Sequence, residues 1–292
     1  MKKILVLSGG GAKFALEVTI LKELENRGEL KNIDIIFGSS AGAIVGSILA
    51  SGKMTSNDLY NCQSDVLKKV FKKSWNPFKI PKYDRKNFAD IWLDKIGNIK
   101  MSDLKTKLVI TSVDFVEKKT HFFKSWEDLN ENVLGLVLRS FAAPYYFSLI
   151  NDSVNEKVWG DGGMTNNNIA ITPAILETIN LDWDWETENI KFIIIGTGYV
   201  DVSETYNKVS KEGFISQILD YISPEDGGMA RMISRQEQIG QLQFLCKKFK
   251  NLHFDYYDIQ IPKSINKMDA VDKISDYINY GLIAAKTPLI VG

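Results

Sequence analysis

Apolar positions along the chain follow two rhythms. Short, mainly apolar runs stand at Lys3–Leu7, Ile33–Phe37, Leu108–Thr111 and Phe192–Ile195, and a late strand-like one runs from Phe254 to Ile261. Runs of this length bounded by turn residues predict strands buried on both faces. Between them, recurrences at three and four predict helices. Phe14, Val18, Leu21 and Leu24 form the first, which ends near Gly28. Others are predicted over Ala41 to Ala50, Val133 to Phe141, Pro173 to Ile179, 213–250, and Asp269 to Lys286. Phe122-Phe123 is placed to pair back on Leu108–Thr111 across a turn through Glu117-Lys118-Lys119. Val158-Trp159 predicts a short strand that closes in Gly160-Asp161-Gly162-Gly163. Two strand–turn–helix units early in the chain predict an α/β fold, a mostly parallel sheet with helices packed on it. With no repeat, low-complexity tract or linker, residues 1–292 read as one domain, with 201–292 an extension packed on the same body.

Residues 53–100 break the pattern. Lys68, Lys69, Lys72, Lys73, Lys79, Lys82, Arg85 and Lys86 alternate with Phe71, Trp75, Phe78, Tyr83, Phe88 and Trp92. Pro77 and Pro81 prevent one continuous helix. One reading is a surface insertion with its aromatics tucked onto the body. The other is an interfacial patch at 68–88, with its bases toward anionic head groups and its aromatics at the acyl boundary. Globally the charges balance at 36 of each sign, so no field draws nucleic acid. Cys62 and Cys246 lack ligand spacing and read as reduced thiols. The acidic–aromatic stretch Asp182 to Glu186 reads as a solvated loop rather than a metal site. No run is long enough to span a membrane. Met1–Leu7 imitates a signal peptide only briefly, because Gly9-Gly10-Gly11 and Lys13 follow at once. A cytoplasmic protein, peripheral at most, is expected.

The candidate chemistry centres on Gly38-Ser39-Ser40-Ala41-Gly42, between a predicted strand and a predicted helix. A serine two residues from a glycine on either side is the pattern of a nucleophile elbow, where the turn leaves no room for other side chains. Ser8-Gly9-Gly10-Gly11 forms a second glycine turn between strand and helix. It fits neither the dinucleotide fingerprint, since Phe14 stands at the sixth position from Gly9, nor the P-loop. If the first two strands are neighbours, the N–H groups of Gly10 and Gly11 are placed to hold an oxyanion. A serine hydroxyl also needs a base. Ser40, Asp161 and His253 follow the serine–acid–histidine order of α/β-hydrolases, but His253 begins a strand between Leu252 and Phe254 and reads as structural. His121 has no motif around it. The remaining alternative is a carboxylate, and Asp161, among glycines at a strand end, is the strongest candidate. Asp226-Gly227-Gly228 reads instead as a helix-entry turn.

Gly9-Gly10-Gly11-Ala12-Lys13, Gly38-Ser39-Ser40-Ala41-Gly42 and Asp161-Gly162-Gly163, in this order, resemble the patatin-like phospholipases. Ala142-Ala143-Pro144, Asn167-Asn168 and Gly196-Thr197-Gly198 support the likeness, which covers roughly residues 1–200. It implies a three-layer α/β/α fold and a Ser–Asp dyad that hydrolyses fatty acyl esters of phospholipids or related lipids. It needs no histidine, metal or cofactor. Ser40 is then the nucleophile, Asp161 the base and Gly9–Gly11 the oxyanion loop, with Lys13, Gly38, Gly42, Gly162 and Gly163 in support. The chain departs from the family at three places. Lys13 replaces an arginine and keeps its charge without its fork. Phe14 replaces a glycine and adds bulk near the site entrance, and Ile169 replaces a proline. Two rival functions are a lipid- or membrane-binding module with a vestigial site, and a His253-dependent esterase.

Overall fold

The computed structural model describes residues 1–72, 80–200 and 228–292, with side chains omitted for 228–232. The first half holds β1 (Lys2–Leu7), α1 (Phe14–Asn26), β2 (Ile35–Ser39), α2 (Ala41–Ser51), α3 (Ser56–Val70) and α4 (Lys86–Lys95). Then come β3 (Lys107–Asp114), β4 (Lys119–Lys124), α5 (Val133–Ser140), β5 (Ile150–Asp152), β6 (Lys157–Asp161) and α6 (Ile171–Asn180). The chain continues with β7 (Ile190–Ile195), α7 (Gly228–Lys248), β8 (Leu252–Tyr257), α8 (Ile274–Ala284) and β9 (Ile290–Val291). The predicted helical stretch 213–227, the turn at Asp226-Gly227, and Lys73, Trp75, Pro77, Phe78 and Lys79 lie outside the described residues.

One sheet runs β5-β6-β3-β2-β1-β7-β8-β9, with β4 also on β3. The inner five, β3-β2-β1-β7-β8, are parallel, and antiparallel pairs occur only beyond them. Side chains alternate across a strand, which divides the apolar ones between two cores. Leu5, Leu7, Ile36, Leu108, Ile110, Ile193 and Ile195 face one layer, formed by α1 to α5 and α8. Ile4, Val6, Ile35, Phe37, Val109, Phe192 and Ile194 face the other, formed by α6 and α7. The fold is thus a three-layer α/β/α sandwich with a mostly parallel sheet. The elements of 228–292 belong to these layers. β8 extends the sheet, and Gly281 of α8 lets that helix close on Leu16 and Thr19 of α1.

The boundaries differ from expectation for identifiable reasons. β2 continues through Gly38 and Ser39, because those residues pair with β3. β8 stops at Tyr257 rather than Ile261, where the Asp258 carboxylate accepts from the N–H groups of Ile259 and Gly198. β5 and β9 are too short to show a period. Among its described residues, segment 53–100 holds two amphipathic helices, α3 and α4. Thr55 and Asp58 cap α3 reciprocally. Phe71, Tyr83, Phe88 and Trp92 are buried, while Lys68, Lys69, Lys72 and Lys86 are exposed. These aromatics pack on Phe141 and Phe147 and on one another, as the tucked-in reading expects, and do not face outward.

Pairing along β3 places the chain ends that matter. β4 occupies one edge of β3 over its last six residues. The other edge is divided. β2 holds it up to the pair Ser39–Thr111, and β6 takes over at the next residue, where Ser112 pairs with Asp161. Ser40 therefore leaves β2 where β6 ends in Asp161. Beneath Ser40, α2 lies so close to β1 that a Cβ on Gly42 would stand 2.5 Å from the Leu7 carbonyl oxygen. Alanine is ordinarily worth about 1 kcal/mol over glycine inside a helix. Here the backbone contact outweighs it, and Gly42→Ala is expected to lower stability in urea unfolding by about 1–3 kcal/mol.

Candidate active site

Ser40 is buried and caps the N-terminus of α2 at φ 53° and ψ −117°. Positive φ is strained for any residue with a Cβ, and a sharp strand-to-helix turn requires it. The turn is possible because a Cβ on Gly38 would lie 2.5 Å from the Gly42 carbonyl oxygen and 2.8 Å from the Ala43 nitrogen. The Ser40 N–H donates to Ser140 Oγ at 2.9 Å, which fixes the turn to the end of α5.

The Ser40 hydroxyl donates to Asp161 Oδ2 at 2.6 Å. The other carboxylate oxygen, Oδ1, accepts from the Gly163 N–H at 2.6 Å. The Asp161 N–H donates to the Ala142 carbonyl at 3.2 Å. Asp161 is itself buried. Its glycines serve space: a Cβ on Gly162 would strike Thr111, and one on Gly163 would strike Asn168 Oδ1.

The loop after β1 lies alongside. Gly9 does not act as a donor toward Ser40, because its N–H is bonded to the Asn168 carbonyl at 3.1 Å. Its own carbonyl accepts from Thr197 Oγ1 and Asn168 Nδ2. Gly9 thus anchors the loop, a correction to its place among the oxyanion donors. The N–H groups of Gly10 and Gly11 make no hydrogen bond to the described residues. Gly11 adopts φ 58° and lines the same cavity as Ser40. The next N–H, of Ala12, donates to the Met268 carbonyl at 2.6 Å. Lys13 is buried and its Nζ donates to Asn266 Oδ1 at 2.7 Å, so the loop is tied twice to the segment before α8. Phe14 begins α1 with its ring buried in the cavity wall, inside the site rather than at its entrance.

That cavity, about 50 Å³, is lined by Ser40 and Asp161 and by an otherwise apolar wall including Ile44, Val70, Phe71, Phe141 and Phe147. The lining suits an apolar group beside Ser40 rather than a polar one. Ser140, Asn266 and Met268 as loop and elbow supports carry no local sequence signal. Thr197 and Asn168 stand inside stretches the sequence had marked.

The two histidines lie elsewhere. His253 pairs with Lys191, which pairs with Lys3. It therefore stands near the start of its parallel strand, at the sheet end opposite Ser40 and three strands away. His121 sits on β4, with Nε2 3.7 Å from Asp114 Oδ2 and 3.5 Å from Glu117 Oε2. Asp114, Glu117 and His121 are grouped closely enough to hold a cation. The Lys157 ammonium already occupies that role, 3.1 Å from Asp114 and 2.9 Å from Glu117. Burial, then Lys157 and Lys119, push the His121 pKa down.

The family model described as patatin-like phospholipase matches residues 5–175. A Pseudomonas aeruginosa protein named cGAMP-activated phospholipase is 27% identical, over 93% of this chain and 83% of its own. One of the same name from Vibrio cholerae is 27% identical over 57% and 55%. Patatin-like protein 2 of Arabidopsis thaliana is 26% identical over 61% and 52%. The matches to the last two thus span about half of each relative's length.

Ser140→Ala leaves the buried Ser40 N–H without its partner and is expected to cost about 1–3 kcal/mol in thermal unfolding. A depressed His121 pKa means the fold favours the neutral ring. That contribution is complete above the unfolded value near 6.5 and is lost as pH falls toward the folded one. An NMR titration of the His121 ring is expected to show a midpoint below 6.5, moving upward in Lys157→Gln.

Proposed function

The chain belongs to the patatin-like phospholipase family, and we propose that it is a serine acyl hydrolase acting on fatty acyl esters of phospholipids or related lipids. The single observation that carries the reading is the 2.6 Å hydrogen bond from Ser40 Oγ to the buried Asp161 carboxylate at the side of an apolar cavity.

In this reading Ser40 Oγ attacks the ester carbonyl while Asp161 Oδ2 takes its proton. The Gly10 and Gly11 N–H groups receive the oxyanion, each donor of this kind being worth about 3 kcal/mol in the transition state. The α2 N-terminus adds a favourable dipole behind it. On collapse the alcohol leaves with the proton held by Asp161, and the acyl group stays on Ser40. Asp161 then takes a proton from water, whose oxygen attacks the acyl-enzyme; on collapse the proton passes from Asp161 to the departing Ser40 Oγ and the fatty acid is released. The Gly163 N–H holds the second Asp161 oxygen throughout, so the carboxylate presents one oxygen to Ser40. Gly38, Gly42, Gly162 and Gly163 act through the close backbone approaches they permit.

No helix among the described residues is long and apolar enough to cross a membrane. We hold the substrate to be met at a lipid surface, with the exposed Lys68, Lys69, Lys72 and Lys86 toward anionic head groups. Residues 1–292 are taken as one domain. Activation by cGAMP belongs to the names of two relatives, so turnover is to be assayed with and without that dinucleotide.

Purified protein incubated with membrane phospholipid is expected to release fatty acid, read by mass spectrometry. A fluorophosphonate is expected to label Ser40. Ser40→Ala should lose both, and Asp161→Asn should lose at least a hundredfold in turnover with the fold retained. Full activity in either variant sinks the dyad, and no turnover by folded protein under either condition favours the vestigial lipid-binding module.

A further inference from the structure

One wall of the Ser40 cavity has an outer side. Segments 80–86 and 145–149 run together there. The Lys82 N–H donates to the Tyr145 carbonyl at 3.0 Å and the Tyr83 N–H to the Tyr146 carbonyl at 2.9 Å. Arg85 Nη1 donates to the Ser148 carbonyl at 2.9 Å. Tyr146 and Phe147 line the cavity with Ser40, and the buried Tyr83 packs on both rings. Their neighbours in the chain reach water instead. Ile80 is 70% exposed and Tyr145 45%.

The turn after β3 continues this surface. A Cβ on Gly160 would strike the Phe115 ring and stand 3.1 Å from Leu149 Cδ2, so Phe115 and Leu149 meet over Gly160. Phe115 and Val116 are 38% and 56% exposed. β3 runs parallel to β2, with Thr111 paired to Ser39. Phe115 follows four residues later, which at about 3.3 Å per residue carries it roughly 13 Å past Ser39 along the strand direction. It thus overhangs the sheet end at which Ser40 leaves β2.

Large apolar side chains exposed together mark a surface that meets a partner. The charges around them indicate which. Residues 80–86 carry Lys82, Arg85 and Lys86 against the single acid Asp84. Lys82 Nζ lies 4.3 Å from the centre of the Tyr145 ring and 3.6 Å from Asp269 Oδ2. Asn87 Nδ2 donates to the Lys69 carbonyl at 3.2 Å, which brings the end of α3 alongside, with its exposed Lys68 and Lys69 and the following Lys72. Apolar side chains flanked by cations fit a bilayer with anionic head groups, the cations at the phosphates and the apolar groups below them.

We propose that Ile80, Tyr145, Phe115 and Val116 form a strip that inserts into the surface of an anionic phospholipid bilayer, with Lys82 and Arg85 at its head groups. The aromatics of segment 53–100 that turn inward have no part in this contact. Segments 80–86 and 145–149 carry the strip on one side and the cavity wall on the other, so insertion sets that wall against the bilayer. The inference deepens the acyl-hydrolase reading and rests on it for the chemistry at Ser40, but the docking is measured without turnover.

The test uses the full chain carrying Ser40→Ala, floated with vesicles of phosphatidylcholine alone or mixed equally with phosphatidylglycerol. The mixed vesicles are expected to bind it more tightly. Adding Ile80→Ser, Phe115→Ser and Tyr145→Ser together should weaken that binding at least about tenfold. Each single substitution should weaken it in part, which keeps the test valid if thermal melting shows the combined variant unfolded. Leu176→Ser with Ile179→Ser removes exposed apolar side chains from α6, in the other helix layer, and should leave binding unchanged. Undiminished binding in the strip variants, an equal loss in the α6 variant, or no binding of the parent chain to mixed vesicles overturns the proposal. A dimer in size-exclusion chromatography that the strip substitutions dissociate, with vesicle binding unchanged, assigns the strip to a second copy and overturns it as well. Hydrolysis of phospholipid by the wild-type chain is measured alongside. Its absence, with strip-dependent binding intact, counts against the hydrolase reading alone.

Discussion

The divided edge of β3 is the constraint on which the site depends. A strand edge can hydrogen-bond only one neighbour at each residue. β2 uses the edge as far as Thr111, and β6 begins at Ser112. Because β6 runs antiparallel, its last residue, Asp161, arrives where β2 has just delivered Ser39. The contact between Ser40 and Asp161 is thus set by backbone pairing, before any side chain chooses a rotamer. Residues 121 positions apart meet because two ladders abut.

Supports from other elements hold that meeting fixed. The end of α5 supplies Ser140 Oγ to the Ser40 N–H, and the loop that follows it supplies the Ala142 carbonyl to the Asp161 N–H. Neighbouring residues at this helix end therefore hold both partners. The glycine loop is pinned from two sides, by Asn168 and Thr197 on Gly9 and by Asn266 and Met268 on Lys13 and Ala12. The N–H groups of Gly10 and Gly11 are left without bonds to the described residues while their neighbours are committed. That contrast is what an anion-holding loop requires.

The helices of segment 53–100 give the site its character. Their lysines face water and their aromatics face inward, so the same residues that suggest a membrane patch in one dimension wall the cavity in three. Burial of Phe88 and Trp92 follows from the amphipathic period of α4, while Phe71 and Tyr83, outside the helices, are buried against each other and Phe147. An apolar wall beside a buried carboxylate lowers the local dielectric and strengthens each hydrogen bond made there.

Local pattern alone determined the strands of the parallel core, most helices, the serine elbow, the glycine loop and the acidic turn at Asp161. Each is written in neighbouring residues: short, mainly apolar runs, a three–four period, and glycines where backbones must approach closely. The sequence left the base open between Asp161 and His253, and could not separate Gly9 from Gly10 and Gly11. Only the tertiary structure decided where these groups lie. The register of β8 carries His253 to the far end of the sheet, and the Asn168 carbonyl takes the Gly9 N–H. It also decided the partners of Ser140, Asn266 and Met268. Those partners lie in segments distant in sequence, and a hydrogen bond between distant segments leaves no periodicity in either one.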